Sequence, residues 1–510
     1  MQSESRVHKS ILNAKVSFIC YFVSLAVTFF SRKVFINQLG ADFLGLVGSM
    51  QSVLSFLNLV ELGVGIAVAF SLYAPITRGD KGEINEIISV FGFLYNVIGK
   101  IILGGGIIVS FFLPLIFPNT GFSWIVLYFG YYTLLATSLF TYFINYRLTL
   151  LYADQRQYEV TGWMQIINTI KTIIQIAVAL YYKSFILYFA IGLVFGVVYS
   201  WILNKRIDKV YPWLKSDIKQ GRVLLKKYPV IVTKVKQIFI HRIVSFVQFQ
   251  LTPFLVYAFV NLTTVTLYTN YTTITVLLVG LLQSTLDSAN AGVGGLISEK
   301  DNQRTYALYV ELLSMRMLVA MVFASTFFYS ASPFISVWLG NQFPLDDTVV
   351  FLISLNLFMS VARGTTDCFI GGHGMYQDVW APIVEACLFL ASSCGFGYFW
   401  GLKGILIGPV FSLSVIVFLW KPYFLFSRGF KMSVLKYWYR FVKYLIVLTA
   451  VAVLTSWGCK NYVPIAIYSG WIGWVYNTAV YFVIAGVASA LLLFAVEPCF
   501  RRFVYRIVKR

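Results

Sequence analysis

Apolar runs of about 18 or more residues recur from one end of this 510-residue chain to the other, each long enough to cross a hydrocarbon core roughly 30 Å thick. No water reaches such a core to satisfy backbone N–H and C=O groups, so only helices and closed barrels span it. A barrel strand would be about ten residues of alternating polarity, and these runs do not alternate. The sequence therefore predicts an all-α polytopic membrane protein with about 14 transmembrane helices. The expected spans are 12–31, 44–72, 90–116, 122–146, 159–181, 184–203, 229–259, 262–297, 306–330, 349–371, 379–400, 403–420, 441–458 and 473–496. Only 12% of the residues are charged, about half the share of a soluble domain.

Charge placement sets the orientation. The net charge is +20, from 40 Lys and Arg against 20 Asp and Glu. With both termini cytoplasmic, about 27 basic residues fall on the inner side and about 5 on the outer side, as lysine and arginine resist translocation. The connection 204–227 (Lys205, Arg206, Lys209, Lys215, Lys219, Arg222, Lys226, Lys227) and the tail (Arg501, Arg502, Arg506, Lys509, Arg510) supply most of the bias. Such segments fix topology and attract anionic lipid. The expected location is the bacterial cytoplasmic (inner) membrane, with membrane lipids as partners and no nucleic-acid-binding module.

Other function classes lose their support in the sequence. There is no G-x-x-x-x-G-K-[ST] phosphate loop. Gly104-Gly105-Gly106 lies inside a span with no following Lys and suits close helix packing. The six cysteines (Cys20, Cys368, Cys387, Cys394, Cys459, Cys499) have no C-x-x-C spacing, and the three histidines are far apart, so neither a metal site nor a cofactor is expected. Asp346-Asp347 reads as a solvated turn. Outer connections are under roughly 20 residues, shorter than the external structure a glycosyl polymerase or ligase uses. A transporter, not an enzyme, is expected. Ser31-Arg32-Lys33 is no cleavage site, so the first apolar run is retained as a span.

The basic connection divides the first twelve spans into six and six. The expected organisation is an N-terminal six-helix lobe (1–203), a basic cytoplasmic linker (204–227), a C-terminal six-helix lobe (228–421), and two extra helices with a basic tail (422–510). Glu61-Leu-Gly-Val-Gly-Ile-Ala-Val-Ala-Phe near the end of span two and Asp287-Ser-Ala-Asn-Ala-Gly-Val-Gly-Gly-Leu-Ile in span eight are alike: an acid, then small residues, then a charged turn. Repeats in one orientation place substrate between the lobes.

An ionised side chain at mid-membrane costs roughly 2.5–3.5 kcal/mol on insertion scales and faces protein or water. In span seven Lys234, Gln237, His241, Ser245, Gln248 and Thr252 are spaced 3, 4, 4, 3 and 4, which holds them on one helix face. Arg242 flanks that face. Span eight carries Thr269, Thr273, Gly280, Gln283, Asp287, Asn290 and Gly294; span ten Asn356, Ser360, Arg363 and Asp367; span two Gln51, Ser55, Asn58 and Glu61; span one Ser17, Tyr21, Ser24, Thr28 and Ser31. The small residues among these also suit helix packing. Arg363 and Asp367, four apart, suit mutual neutralisation, and Lys100 and Lys171 suit snorkelling. The interior charges are mostly basic, and a cationic cavity fits an anionic cargo. Its candidate residues are Arg32, Lys33, Lys234, His241, Arg242 and Arg363. Candidates for a coupling or structural role are Glu61, Gln248, Asp287 and Asp367.

These residues resemble a family. Arg32-Lys-Val-Phe-Ile-Asn-Gln-Leu-Gly-Ala-Asp-Phe-Leu-Gly-Leu and Leu62-Gly-Val-Gly-Ile-Ala-Val-Ala-Phe-Ser-Leu-Tyr-Ala-Pro are similar to the N-terminal region of Wzx-type polysaccharide flippases. Tyr268-Thr-Asn-Tyr, Val337-Trp-Leu-Gly, Gly374-Met-Tyr-Gln-Asp-Val-Trp-Ala-Pro-Ile-Val-Glu385 and Gly404-Ile-Leu-Ile-Gly follow in the same order. Wzx-type flippases belong to the multidrug/oligosaccharidyl-lipid/polysaccharide (MOP) exporter superfamily. The resemblance implies two six-helix bundles around a central cavity. It also implies outward flipping of an undecaprenyl-diphosphate-linked oligosaccharide (an O-antigen, capsule or exopolysaccharide repeat unit), with polysaccharide polymerase machinery as a further partner. Where related sequences often carry an acid, residues 248–253 read Gln-Phe-Gln-Leu-Thr-Pro, which weighs against ion coupling there. The competing expectations are a multidrug exporter of the same superfamily, which would favour acidic cavities, and a membrane glycosyl polymerase or ligase.

Overall fold

The computed structural model describes residues 6–508 except 62–63, 119, 230, 232–234, 236–250, 287–292, 294–295, 298–300, 374, 376–377, 379 and 463–469. Among the described residues all regular elements are helical. Ten helices among the described residues are long and apolar enough to cross a membrane, or up to eleven when one bent pair counts as a span. They match the expected spans closely, for example Trp124–Phe143 with 122–146 and Gly470–Val496 with 473–496. The apolar stretch Trp380–Phe430 is 51 residues long, about 75 Å at 1.5 Å per residue, too long for one crossing. It breaks at Gly401, whose φ of 56° and ψ of −132° are non-helical, and the expected spans 379–400 and 403–420 meet there. Most of expected span seven lies outside the described residues.

Two expected boundaries move. The first helix does not stop near Ser31-Arg32-Lys33 but runs Arg6–Leu39. Arg and Lys are good helix formers and end no helix by themselves. The break comes at Gly40, φ 92°, a conformation that favours glycine; there Phe22–Leu39 and Ala41–Leu57 bend by 117°. Expected span 44–72 is likewise interrupted by a 3₁₀ turn at Asn58–Glu61 before the Val64–Arg78 helix.

The chain forms two compact units, Met1–Thr266 and Leu267–Arg510. In the first, Phe91, Leu127, Tyr131 and Leu151 are fully buried in one core, and Phe43 stacks on Phe185 at 4.7 Å. Gly45 lets the Ala41–Leu57 helix approach residue 262 closely, since a Cβ there would lie 2.0 Å from the Leu262 carbonyl oxygen. The basic connection is docked. Asp217 caps the Ile218–Leu224 helix, and the Lys215 and Asp217 amides donate to Asn85 Oδ1 (2.8 Å) and Ser89 Oγ (2.9 Å) of the Lys81–Phe111 helix. Lys227 and the Tyr228 hydroxyl both reach Glu86 Oε2 at 2.6 Å. Positive charge is thereby held on a fixed surface.

In the second unit the helix Asn302–Trp338 is central, and Tyr309, Met317 and Met321 along it are buried. The two C-terminal spans pack on it: Tyr329 donates to the Ala452 carbonyl (2.8 Å) and Trp474 Nε1 to the Ser330 carbonyl (3.0 Å). Arg440 pairs with the buried Glu497, and Arg506 of the terminal helix Pro498–Val508 with Glu311 at 3.0 Å. Both units expose large apolar side chains along their spans, Phe30, Phe111, Tyr398 and Ile472 among them, as lipid-facing helices do.

Candidate functional site

The candidate cavity residues Lys234, His241 and Arg242 of span seven lie outside the described residues, as do the coupling or structural candidates Gln248 and Asp287. Thr252, at the end of the span-seven stripe, is described and buried. The remaining candidates fall into three places.

Arg32 and Lys33 are adjacent in sequence, about 100° apart on a helix, and face different surroundings. Lys33 is exposed. Arg32 is half-buried and donates from Nη2 to the Thr266 carbonyl at 3.4 Å. Nearby, the Thr266 hydroxyl donates to the Ala41 carbonyl (2.6 Å) and Thr263 to the Asp42 carboxylate. Arg32 thus helps to hold the residues around Thr266 in place within the first unit.

Glu61 sits where the helical ladder breaks. A 3₁₀ turn frees it from a regular helix face, and its carboxylate accepts from two tyrosines, Tyr95 at 2.5 Å and Tyr142 at 3.1 Å. Tyr142 also donates to Asn58 Oδ1 at 3.1 Å, as does Ser138 at 3.2 Å. Five side chains from two helices and the turn form one hydrogen-bonded group inside the first unit. Glu61 was legible as an acid in an apolar run; Tyr95 and Tyr142, 34 and 81 residues away, carried no sequence signal.

Arg363 and Asp367 anchor a charged group in the second unit. Arg363 Nε donates to Asp367 Oδ2 at 2.8 Å, the pairing that their spacing of four allows. Lys421 Nζ meets the other oxygen, Oδ1, at 2.6 Å. Arg363 also lies 3.9 Å from Glu385, which is almost wholly buried. Arg316, buried on the Asn302–Trp338 helix, packs over Gly364 so closely that a Cβ there would meet its Nη1 at 1.6 Å. Three cations and two carboxylates are therefore concentrated in this bundle. Sequence reasoning missed Arg316, Glu385 and Lys421. The rule that selected Arg363, a charge within an apolar run, selects Arg316 and Glu385 too. Among the described residues no group of three or more His, Cys, Asp or Glu side chains is placed to hold a metal ion.

No family model matches the chain, and no curated protein matches it. Solved structures do. A lipid II flippase, MurJ, in its inward-closed conformation covers 96% of this chain and 100% of its own, at 14% identity and a TM-score of 0.58. An inward-facing multidrug-resistance MATE transporter of the MOP superfamily covers 82% of this chain and 98% of its own, at 13% identity and a TM-score of 0.60. A MOP-superfamily transporter from Pyrococcus furiosus, described by the reverse polarity of its binding pocket, covers 84% and 97%, at 14% and 0.50. The chain has the fold of MOP-superfamily transporters.

Proposed function

We propose that this protein is a flippase that moves an undecaprenyl-diphosphate-linked oligosaccharide from the cytoplasmic to the outer leaflet by alternating access. The observation that carries the reading is the extent of the fold match. The lipid II flippase aligns with 96% of the chain, whereas the MATE transporter aligns with 82%. The basic interior residues point the same way, since a diphosphate suits arginine and lysine. In this reading the two expected six-helix lobes, 1–203 and 228–421, alternate between inward- and outward-open states. Arg32, Lys33, Lys234, His241 and Arg242 attract the diphosphate, and the prenyl chain stays in lipid. Arg363, with Asp367 as neighbour, contributes to the field of the second lobe. The cargo must be held less tightly in the outward state, because a ligand bound equally by both states shifts nothing. Glu61, held by the hydroxyls of Tyr95 and Tyr142, is the coupling candidate.

A second reading, multidrug export, draws on the MATE transporter's TM-score of 0.60. It predicts cationic substrates, against a chain of net charge +20. The test is reconstitution with candidate lipid-linked oligosaccharides and a leaflet-protection assay, run beside efflux of a cationic dye. Oligosaccharide movement without dye efflux supports the flippase; the converse overturns it.

A further inference from the structure

A cavity of about 660 Å³ opens on the outer face of the Leu435–Tyr462 helix but is lined by apolar residues such as Val442, Ile446 and Val453, and nothing about it selects a ligand over bulk lipid. A second cavity, of about 390 Å³, is different in kind. Its lining belongs to the first unit, from the helices Ala41–Leu57, Trp124–Phe143, Tyr158–Tyr181 and Phe185–Val210, and it is open at a rim where Gln51 and Asn168 are exposed. Its volume falls within the range of small-molecule sites, roughly 300–1,000 Å³.

Asn168, Lys171 and Gln175 face it from one helix, spaced 3 and 4 and so on one side. Gln51, Thr133, Thr137 and Tyr199 face it from the others. Gly192 and Gly196 leave room, and Tyr188 and Phe189 offer ring surface. Among the described residues no Asp or Glu lines the cavity. Lys171 lies 13 residues from the start of its helix and 10 from the end, about 20 Å and 15 Å along the axis. Four methylenes cannot carry the ammonium over such a distance, so snorkelling to a membrane surface does not account for it. An ammonium has three donors. Among the described residues Lys171 meets one acceptor, Asn168 Oδ1 at 3.2 Å. The Gln175 amide nitrogen is engaged by the Tyr188 carbonyl at 3.0 Å, which orients its oxygen acceptor. The cavity thus combines one cation, amides, hydroxyls and aromatic rings, the chemistry that recognises a hydroxyl-rich anion.

We propose that this cavity binds an acidic sugar residue, with Lys171 pairing its carboxylate or phosphate and the amides of Asn168 and Gln51 meeting its hydroxyls. The inference deepens the flippase reading, on which it rests, by requiring an acidic sugar in the cargo. It is tested without transport. Purified full-length protein in nanodiscs of zwitterionic lipid is titrated with radiolabelled glucuronate and glucose 1-phosphate at millimolar concentrations, with glucose as the neutral control. The expected result is saturable binding of at least one acid, at least tenfold tighter than glucose, weakened tenfold or more by Lys171→Gln and partly restored by Lys171→Arg. Asn168→Ala, a milder change, weakens binding several-fold while leaving size-exclusion behaviour normal. Phosphatidylglycerol added to the discs is expected to leave binding unchanged. Competition by that lipid would reassign the site to a lipid headgroup and overturn the proposal. No saturable binding, or binding indifferent to Lys171→Gln, would also overturn it. If acid binding fails while lipid-linked oligosaccharide still moves in proteoliposomes, this inference alone falls; if binding holds and movement fails, the flippase reading falls instead.

Discussion

Replacing Asp367 by Asn removes one negative charge and almost no volume, leaving Arg363 and Lys421 flanking a neutral amide. The wild-type carboxylate takes a charged donor on each oxygen, at 2.8 and 2.6 Å. A hydrogen bond to a charged group contributes roughly 1.5–3 kcal/mol, so the two together contribute about 3–6 kcal/mol. The Asp367 side chain is 34% exposed, and screening at that exposure lowers the expected cost of Asp367→Asn to about 2–3 kcal/mol. At roughly 2–4 °C per kcal/mol for a unit of this size, the midpoint of thermal unfolding falls by about 5–10 °C. Fluorescence-detected size exclusion after heating in detergent measures this directly. Arg363→Gln should cost about half as much, because Lys421 still neutralises Asp367. The double variant should cost less than the sum of the singles by about 1 kcal/mol, the mark of residues in one network. An unchanged midpoint in Asp367→Asn, or strict additivity, would refute the structural pairing and return both residues to the transport path.

Glu61→Ala should lower stability by roughly 2–4 kcal/mol, since two buried hydroxyls lose their acceptor, whereas Glu61→Gln should keep the fold and lower export, measured by surface polysaccharide in a complemented transport-null strain. Gly221→Ala places a Cβ 2.3 Å from the Ser89 carbonyl oxygen; the basic connection should undock, and trypsin should cut at Lys215, Lys219 or Arg222 much faster in inside-out vesicles. Cysteine at position 215 should resist an impermeant label applied to intact cells, while cysteine at 460 should accept it; the opposite pattern would invert the topology.

The apolar membrane-length helices were legible because apolar length is a one-dimensional property. So was Arg363 with Asp367, whose contact spans one helical turn. Lys421 was not, because it reaches Asp367 across 54 residues and only the folded bundle brings them together. The tyrosines around Glu61 were hidden for the same reason, among 33 in the chain. The connection 204–227 read as a basic linker, yet its docking depends on Asn85, Glu86 and Ser89, polar residues that a helix start commonly carries. Lys171 was visible as an interior lysine. What sets it apart is the cavity, which depends on Gly192 and Gly196 of another helix and appears in no periodicity of its own.

The central claim is that a lipid-linked, anionic oligosaccharide crosses the membrane through this protein, and the most direct measurement is its leaflet in proteoliposomes. Undecaprenyl-diphosphate-linked oligosaccharide is loaded into both leaflets, and an impermeant periodate reagent oxidises whatever sugar is exposed. With protein present, oxidation should proceed past half to near completion, at a rate proportional to the number of copies per vesicle. Oxidation stopping at half in vesicles shown to hold folded protein, while a cationic dye is exported from the same vesicles, would contradict the account.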